Sequence, residues 1–309
     1  MYCQTSSELA EILERAVKMT THGKVATYIP ALAKASPSLL GISIYHDEEK
    51  CFHAGQTEQT FTLQSISKVI ALALALMDHG AKTVFQHVGM EPTGDPFNSI
   101  AKLETMQNVK PLNPMINAGA LVVSSLIKGA TFHEKLGRLL DLVHDMTNVP
   151  ERKYNHEVAK SEIETAHLNR SLAYFLKQHK LLSGHVEDLI EFYSHQCAIE
   201  VSCKDLARIG AVLAYDGKDP VTKRIILPAH IARICKTFMV TCGMYNASGE
   251  FAIRVGIPAK SGVSGAIVAS IPGWGGIGIY GPALDDKGNS IGGMRALEII
   301  SHAYDLHIF

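Results

Sequence analysis

Ser65 and Lys68 stand three residues apart at the head of a long apolar run, and this pairing is the strongest chemistry in the chain. A serine hydroxyl is a poor nucleophile until something takes its proton, and a lysine does so once its pKa is brought down. On a helix, residues three apart share a face, one turn from each other. Every residue from Val69 to Met77 is apolar, and Asp78-His79-Gly80 closes the run with a helix stop. A helix apolar on all sides is buried. Desolvation and the positive end of the helix dipole would therefore both push the Lys68 amine toward neutrality. The same dipole favours negative charge building on an attacked carbonyl. Ser-x-x-Lys recurs at Ser99/Lys102 and Ser125/Lys128, but only the first pair opens a wholly apolar helix.

A second element belongs with the first. Lys260-Ser261-Gly262 is the only Lys-[Ser/Thr]-Gly in the chain, and it leads into a strand-like run. In acyl-transfer enzymes of the Ser-x-x-Lys type such a strand lines the cleft opposite the nucleophile. Its glycine lets backbone approach backbone. The N–H of Val263 just beyond can then join that of Ser65 as an oxyanion hole. Ser-Asp-Asn and Tyr-x-Asn, the middle elements of penicillin-binding proteins and class A β-lactamases, are absent. That absence weighs against β-lactam chemistry and leaves the scaffold in place.

The elements that must position these residues follow from periodicity. Glu8 to His22 carries Leu9, Ile12, Leu13 and Val17 at helical spacing. Tyr28 falls on an irregular segment, because Pro30 holds Ile29 extended. Leu39 to Tyr45 and Cys51 to Ala54, around His46-Asp47-Glu48-Glu49-Lys50, predict a hairpin. Turn-rich Glu91-Pro92-Thr93-Gly94-Asp95-Pro96 and Lys110-Pro111-Leu112-Asn113-Pro114 follow, with helical stretches between and after them. A buried helix starts at Asn117, and helices are predicted over Phe132 to Thr147, Ser161 to His179, Val186 to Gln196, Cys203 to Tyr215 and Ile231 to Val240. Thr241 to Gly249 reads as a loop. Glu250 to Ile257, Val263 to Ser270 and Gly275 to Tyr280 read as strands, with Pro258 to Gly262 a turn, and Ile291 to Leu306 closes as a helix. Segregated strands and helices predict an α+β fold, an antiparallel β-sheet with flanking helices. A mostly helical subdomain (85–227) is inserted after the nucleophile helix, beside a sheet-containing part (1–84 with 228–309). A ligand cleft belongs between them.

Composition excludes several classes. The chain has 309 residues, 47% hydrophobic and 19% charged, with a net charge of -1, which predicts a sizeable core and no attraction to nucleic acid or an anionic membrane. No apolar run is long enough to span a bilayer. The N-terminus has no basic stretch followed by an apolar one, so no secretory signal is expected. Six cysteines without Cys-x-x-Cys spacing read as reduced thiols of a cytoplasmic protein. Fifteen scattered histidines suggest no metal site.

Six blocks carry a resemblance: Tyr28-Ile29-Pro30, Gln64-Ser65-Ile66-Ser67-Lys68, Glu91-Pro92-Thr93-Gly94-Asp95-Pro96-Phe97-Asn98, Asn113-Pro114-Met115-Ile116-Asn117-Ala118-Gly119-Ala120, Gln196-Cys197-Ala198-Ile199-Glu200 and Pro258-Ala259-Lys260-Ser261-Gly262-Val263-Ser264-Gly265. Together they resemble the serine-dependent glutaminases of the bacterial, single-domain type, with a serine β-lactamase-like fold. The resemblance covers nearly the whole chain. It implies hydrolysis of L-glutamine to L-glutamate and ammonia without a cofactor, by a homodimer or homotetramer. Ser65 would form a γ-glutamyl ester, with Lys68 as base and Tyr245 relaying a proton to the departing ammonia. A phenol can shuttle a proton if neighbouring lysines lower its pKa, and Lys260 joins Ser65, Lys68 and Tyr245 in the catalytic set. Backbone N–H groups of Ser65 and Val263 would hold the oxyanion.

The resemblance also assigns the charged ends of the substrate to Tyr28, Asn117, Glu162, Asn169 and Tyr193. On charge grounds Glu162 faces the ammonium, while Asn117, Asn169 and the tyrosine hydroxyls donate to the carboxylate. Glu162 and Asn169, seven apart, fit one helix face. Glu164 offers a second carboxylate two residues on. Two other readings stay open: a non-catalytic amino-acid-binding protein on this scaffold, and a Ser-x-x-Lys enzyme acting on another amide or ester.

Overall fold

The computed structural model describes residues 5–46, 50–96, 98–99 and 110–309. Outside them lie 1–4 with Cys3, the hairpin tip 47–49, Phe97, and 100–109 with Lys102 and the helical stretch expected there.

Helix α1 (Ser6–Val17) starts where the Thr5 hydroxyl accepts from the Glu8 N–H, and it buries Leu9, Ile12 and Ala16 on one face. A 3-10 turn, Lys18–His22, takes up the rest of the expected helix. Strands β1 (Gly41–Tyr45) and β2 (Cys51–Gly55) form the expected hairpin. After the short β3 (Phe61–Thr62), a 3-10 turn over Gln64–Ile66 runs straight into α2 (Ser67–His87). All residues from Ser67 to Leu76 are buried. The expected stop at Gly80 is a break in an otherwise continuing helix: Gly80 takes φ 74, and a further helical stretch runs to His87. Asp78 at that break accepts from Arg138 and from the Lys128 N–H, which ties the kink to its neighbours.

The helical middle comprises α3 (Asn117–Leu126), α4 (Phe132–Thr147), α5 (His156–Thr165), α6 (His167–Gln178) and α7 (Val186–Cys197). Strand β4 (Glu200–Val201), which pairs with β3, and α8 (Cys203–Ala214) follow. The single helix expected over Ser161 to His179 is two helices. The chain breaks at Ala166, whose ψ of 31 is not helical, so Glu162 and Asn169 sit on different helices.

Next come α9 (Ala229–Cys242) and α10 (Ser248–Arg254), the latter where a strand was expected. Phe251, Ile253 and Val255 alternate like a strand in sequence, but only Phe251 and Val255 are buried, four apart, while Ile253 is 80% exposed. The period is helical. The loop expected over Thr241 to Gly249 likewise holds a 3-10 turn at Tyr245–Ala247. Strand β5 (Ala259–Gly262) is the Lys-Ser-Gly stretch itself, read above as a turn, and Val263 to Gly265 make the turn into β6 (Ala266–Ile271). Strand β7 (Gly275–Tyr280) and α11 (Ile291–Tyr304) complete the chain.

Five strands form one antiparallel sheet in the order β2-β1-β7-β6-β5, so the early hairpin and the late strands do share a sheet. Ile42, Ile44, Ile267, Ile277 and Ile279 alternate onto one face and pack with Leu9 and Ile12 of α1 and Leu297 and Ile300 of α11. The other face is bared by glycines so that α8 can lie close: a Cβ on Gly276 would fall 2.0 Å from the Ala207 carbonyl oxygen. Helix α2 runs through the adjoining core with α4, α8 and α9. This is the α+β architecture expected, with helices flanking an antiparallel sheet and a helical middle beside it. No described helix is long and apolar enough to cross a membrane.

Candidate active site

The head of α2 is held from three sides. The Leu63 N–H donates to the Ile199 carbonyl, extending the β3–β4 pairing up to the 3-10 turn. The Ser67 hydroxyl donates to the Gln64 carbonyl and accepts from Gln196, whose own oxygen accepts from Ser124. Strand β5 closes the third side. A Cβ at Gly262 would stand 2.7 Å from the Leu63 carbonyl oxygen, so only glycine lets β5 approach the turn that carries Ser65. Ser264 then donates to the Thr62 carbonyl and fixes the stretch around Val263.

Two side chains next to Ser65 sit on left-handed backbone: Gln64 at φ 47 and Tyr245 at φ 53. Neither is glycine, and both are buried. Such conformations cost of order 1–3 kcal/mol and gather at functional sites.

A cleft of about 110 Å³ opens in front of Ser65, between the sheet side and α5, α6 and α7. That is well below the range of about 300–1,000 Å³ common for drug-sized ligands, and it suits a small metabolite. Seven of the residues singled out in the sequence line it: Tyr28, Ser65, Asn117, Glu162, Asn169, Tyr193 and Val263. Lys68 and Lys260 are fully buried behind it, and Tyr245 is buried beside Ser65. All ten expected site residues therefore converge, from elements spread over most of the chain. Neither of the other Ser-x-x-Lys pairs does so. Lys102 lies outside the described residues; Ser125 donates to the Val122 carbonyl and Lys128 is exposed.

Burial brings the Lys68 amine down to about 8, resisted by the nearby Glu162 carboxylate. Its nitrogen donates to the Met115 carbonyl at 3.0 Å and to Asn117 Oδ1 at 2.7 Å. Lys260 is pushed well below the usual lysine range, first by burial and then by the charge of Lys68. It donates to the Gly243 and Ser261 carbonyls, and its nitrogen lies 4.4 Å from the centre of the Tyr245 ring. The condition that neighbouring lysines lower the Tyr245 pKa is not met. Burial pushes that phenol above its ordinary value, the Ser65 side chain is the partner that draws it down, and Lys260 meets the ring face instead of the hydroxyl. Tyr245 is a protonated phenol at neutral pH.

Glu162 is buried in the cleft wall, and burial raises its carboxyl to about 7, opposed by hydrogen bonds from Gln64 and Cys197 and by Lys68. Gln64 Nε2 lies 3.4 Å from Glu162 Oε2. Glu164, the rival carboxylate, is 64% exposed and pairs with Lys160, away from the cleft. Asn117 departs from its expected pose as a donor: its Nδ2 is already given to Asn169 Oδ1 at 2.9 Å. Tyr193 is buried, and burial first, then its nearness to Cys197 and Glu162, pushes its phenol well above the ordinary value. Tyr28 is 57% exposed and lines the cleft, where desolvation and the proximity of Tyr245 and Glu162 raise its pKa.

Gln64 and Cys197 also line the cleft, and no role was assigned to either from sequence. Gln64 stands directly before Ser65, and Cys197 lies in the Gln196 to Glu200 stretch. Their bonds to Glu162, however, join positions with no regular spacing.

The model of the glutaminase family matches residues 23–309. A glutaminase of Halalkalibacterium halodurans is 61% identical over 301 residues, covering 97% of this chain and 98% of its own. A glutaminase of Shouchella clausii is 58% identical over the full length of both chains. Among solved structures, a probable glutaminase from Bacillus subtilis complexed with 6-diazo-5-oxo-L-norleucine superposes with a TM-score of 0.91 at 41% identity, covering 100% of this chain and 99% of that one.

Proposed function

The chain belongs to the glutaminase family, and from that premise we propose that it hydrolyses L-glutamine to L-glutamate and ammonia through an acyl-enzyme on Ser65. The observation that carries the mechanism is the convergence of Ser65, a buried Lys68 and a protonated Tyr245 on one small cleft.

A neutral amine has two N–H bonds and one lone pair. Lys68 donates to the Met115 carbonyl and to Asn117 Oδ1, and as a neutral amine it would take the Ser65 proton from one helical turn away. Ser65 Oγ adds to the side-chain amide carbon, and the oxyanion is held by the N–H groups of Ser65 and Val263. Tyr245, being an acid here, gives a proton to the departing nitrogen and recovers one from the incoming water. Lys260 positions the Tyr245 ring and, through its nearness to Lys68, disfavours protonation of both amines.

The cleft is formed for a free amino acid. Glu162 takes the α-ammonium, which would draw its proton off at neutral pH. Asn169, Tyr193 and Tyr28 serve the α-carboxylate, and Asn117 joins them once the substrate displaces its bond to Asn169. The chain acts as one glutaminase unit over 1–309, with 85–227 as its helical part. Cytoplasmic residence is supported by the free thiols of all five described cysteines. A homodimer or homotetramer is the assembly the family resemblance implies.

Ammonia release from L-glutamine, L-asparagine and D-glutamine tests the assignment, with Ser65→Ala as control. L-Glutamine is expected to be turned over far faster than the other two, and the variant to be inert. Equal rates on asparagine, or an active variant, would overturn the reading, the second in favour of an amino-acid site that does not use Ser65.

A further inference from the structure

An oxyanion donor is useful only if it is aimed, and the Ser65 N–H cannot be aimed by its own side chain. It belongs to the same peptide group as the Gln64 carbonyl. That peptide is trans, so its N–H and its C=O point opposite ways. Whatever holds the Gln64 carbonyl therefore also directs the Ser65 N–H. The backbone here needs holding, because Gln64 takes φ 47 without being glycine. Such a conformation persists only where its surroundings over-determine it.

Three polar side chains from three helices hold this carbonyl. The Ser67 hydroxyl, at the first position of α2, donates to it at 2.7 Å. Gln196 Nε2, near the end of α7, donates to that hydroxyl at 3.2 Å. Gln196 Oε1 in turn accepts from the Ser124 hydroxyl of α3 at 2.9 Å. All three residues are fully buried, and none lines the cleft. The direction of the chain is set at its end. A carbonyl only accepts, so Ser67 donates to it, Gln196 turns its amide nitrogen to Ser67, and Ser124 donates to the oxygen that remains. The Cys197 thiol also stands beside the Ser67 hydroxyl. Burial pushes that thiol well above its ordinary value, so at neutral pH no thiolate draws the hydroxyl off the carbonyl.

Stability alone does not call for this chain, since apolar residues of the same shape can fill such a site at little or no loss. On the Ser65 acyl-enzyme reading, we propose that Ser67 and Gln196 are positioning residues of the oxyanion hole. Through the Gln64 carbonyl they aim the Ser65 N–H at the place where negative charge develops, and Ser124 fixes the pose of Gln196. The other arm of the hole, at Val263, is set separately by Gly262 and Ser264. Without the Ser67 hydroxyl, the carbonyl keeps the bond from the Ser67 N–H that closes the 3-10 turn, and the peptide gains room to tilt.

The test is the steady-state rate of ammonia release from L-glutamine by the whole protein carrying Ser67→Ala, Gln196→Met or both. Urea unfolding of each variant sets conditions in which it is folded. Ser67→Ala should lower kcat by at least ~10-fold, as misdirection of one oxyanion donor does, while KM stays within about twofold because no substrate contact is lost. The acid limb of kcat should stay at its wild-type pH, since Lys68 keeps its acceptors. Gln196→Met should lower kcat by a smaller factor, by freeing the Ser67 hydroxyl to turn. The double variant should be no slower than Ser67→Ala, because Gln196 acts through that hydroxyl. A role in packing alone would lower the urea midpoint and leave kcat of the folded protein intact. Near-normal kcat in folded Ser67→Ala, a loss carried by KM, a displaced acid limb, or losses that multiply in the double variant would each overturn the proposal. Absence of ammonia release in the wild-type protein would instead overturn the glutaminase reading beneath it.

Discussion

Asn117 Oδ1 lies 2.7 Å from Lys68 Nζ, while the other end of the same amide reaches Asn169 across the cleft. One side chain thus orients the base and borders the substrate, so occupancy of the cleft and the direction of the Lys68 lone pair are linked through it. Asn117→Asp keeps the shape and adds a negative charge beside the amine. The Lys68 pKa should rise, moving the acid limb of kcat upward by about one pH unit or more. A pH profile of the variant that overlays the wild type would show that Lys68 is not the group being titrated.

The pH dependence of the parent enzyme follows from two groups. Lys68, at about 8, becomes a competent base as pH rises through that value. Glu162, at about 7, must lose its proton to receive an ammonium. Both act in the same direction, so kcat/KM should climb from pH 6 to 9 with two slopes, steepest below pH 7. Steady-state rates across that range decide it, and a profile flat from pH 6 upward would contradict both assignments.

Glu162 also makes the site costly. Its folded-state pKa lies above the unfolded carboxylate value of about 4.3, so between the two the folded state holds more protons and stability falls as pH rises. Above pH 7 the cost is fully present. Glu162→Gln should therefore stabilise the protein at pH 8 by on the order of 1–3 kcal/mol, with no such gain at pH 4, while KM for glutamine rises sharply. Thermal or urea unfolding at the two pH values measures this; equal effects at both would refute a charge-burial cost.

Gly262 tests the oxyanion geometry. Its Cβ would collide with the Leu63 carbonyl at 2.7 Å, and backbone cannot yield as a side chain would. Gly262→Ala should push β5 away from the Ser65 turn, lowering kcat by ~10²-fold or more, as loss of one oxyanion donor does. KM should change less. Unaltered kcat in a folded variant would detach Val263 from the mechanism.

Much of this arrangement is legible in the chain because its signals are local. Val69 to Met77 declares a buried helix by composition alone, and Ser65 and Lys68 are tied to it by three residues of spacing. The hairpin and β7 follow the alternation of Ile42 with Ile44 and Ile277 with Ile279. Where the structure departs, the deciding contact is distant. Phe251, Ile253 and Val255 satisfy a strand's period until one knows that Ile253 faces solvent. Lys260 to Gly262 carries turn residues, yet it is a strand because Gly262 must pass the Leu63 carbonyl. Ala166 gives no sign in the sequence that a helix breaks there, and the seven-residue spacing of Glu162 and Asn169 fits one face although two helices meet between them. Gln64 and Cys197 carry no local signal, because what they do is contact Glu162, on another helix.

Chemical trapping reaches the central claim most directly. The protein, treated with 6-diazo-5-oxo-L-norleucine and digested, should carry one added group on the peptide that contains Ser65, blocked by excess L-glutamine and absent in Ser65→Ala. Modification of any other residue at full inactivation, or none with activity abolished, would contradict a Ser65 acyl-enzyme.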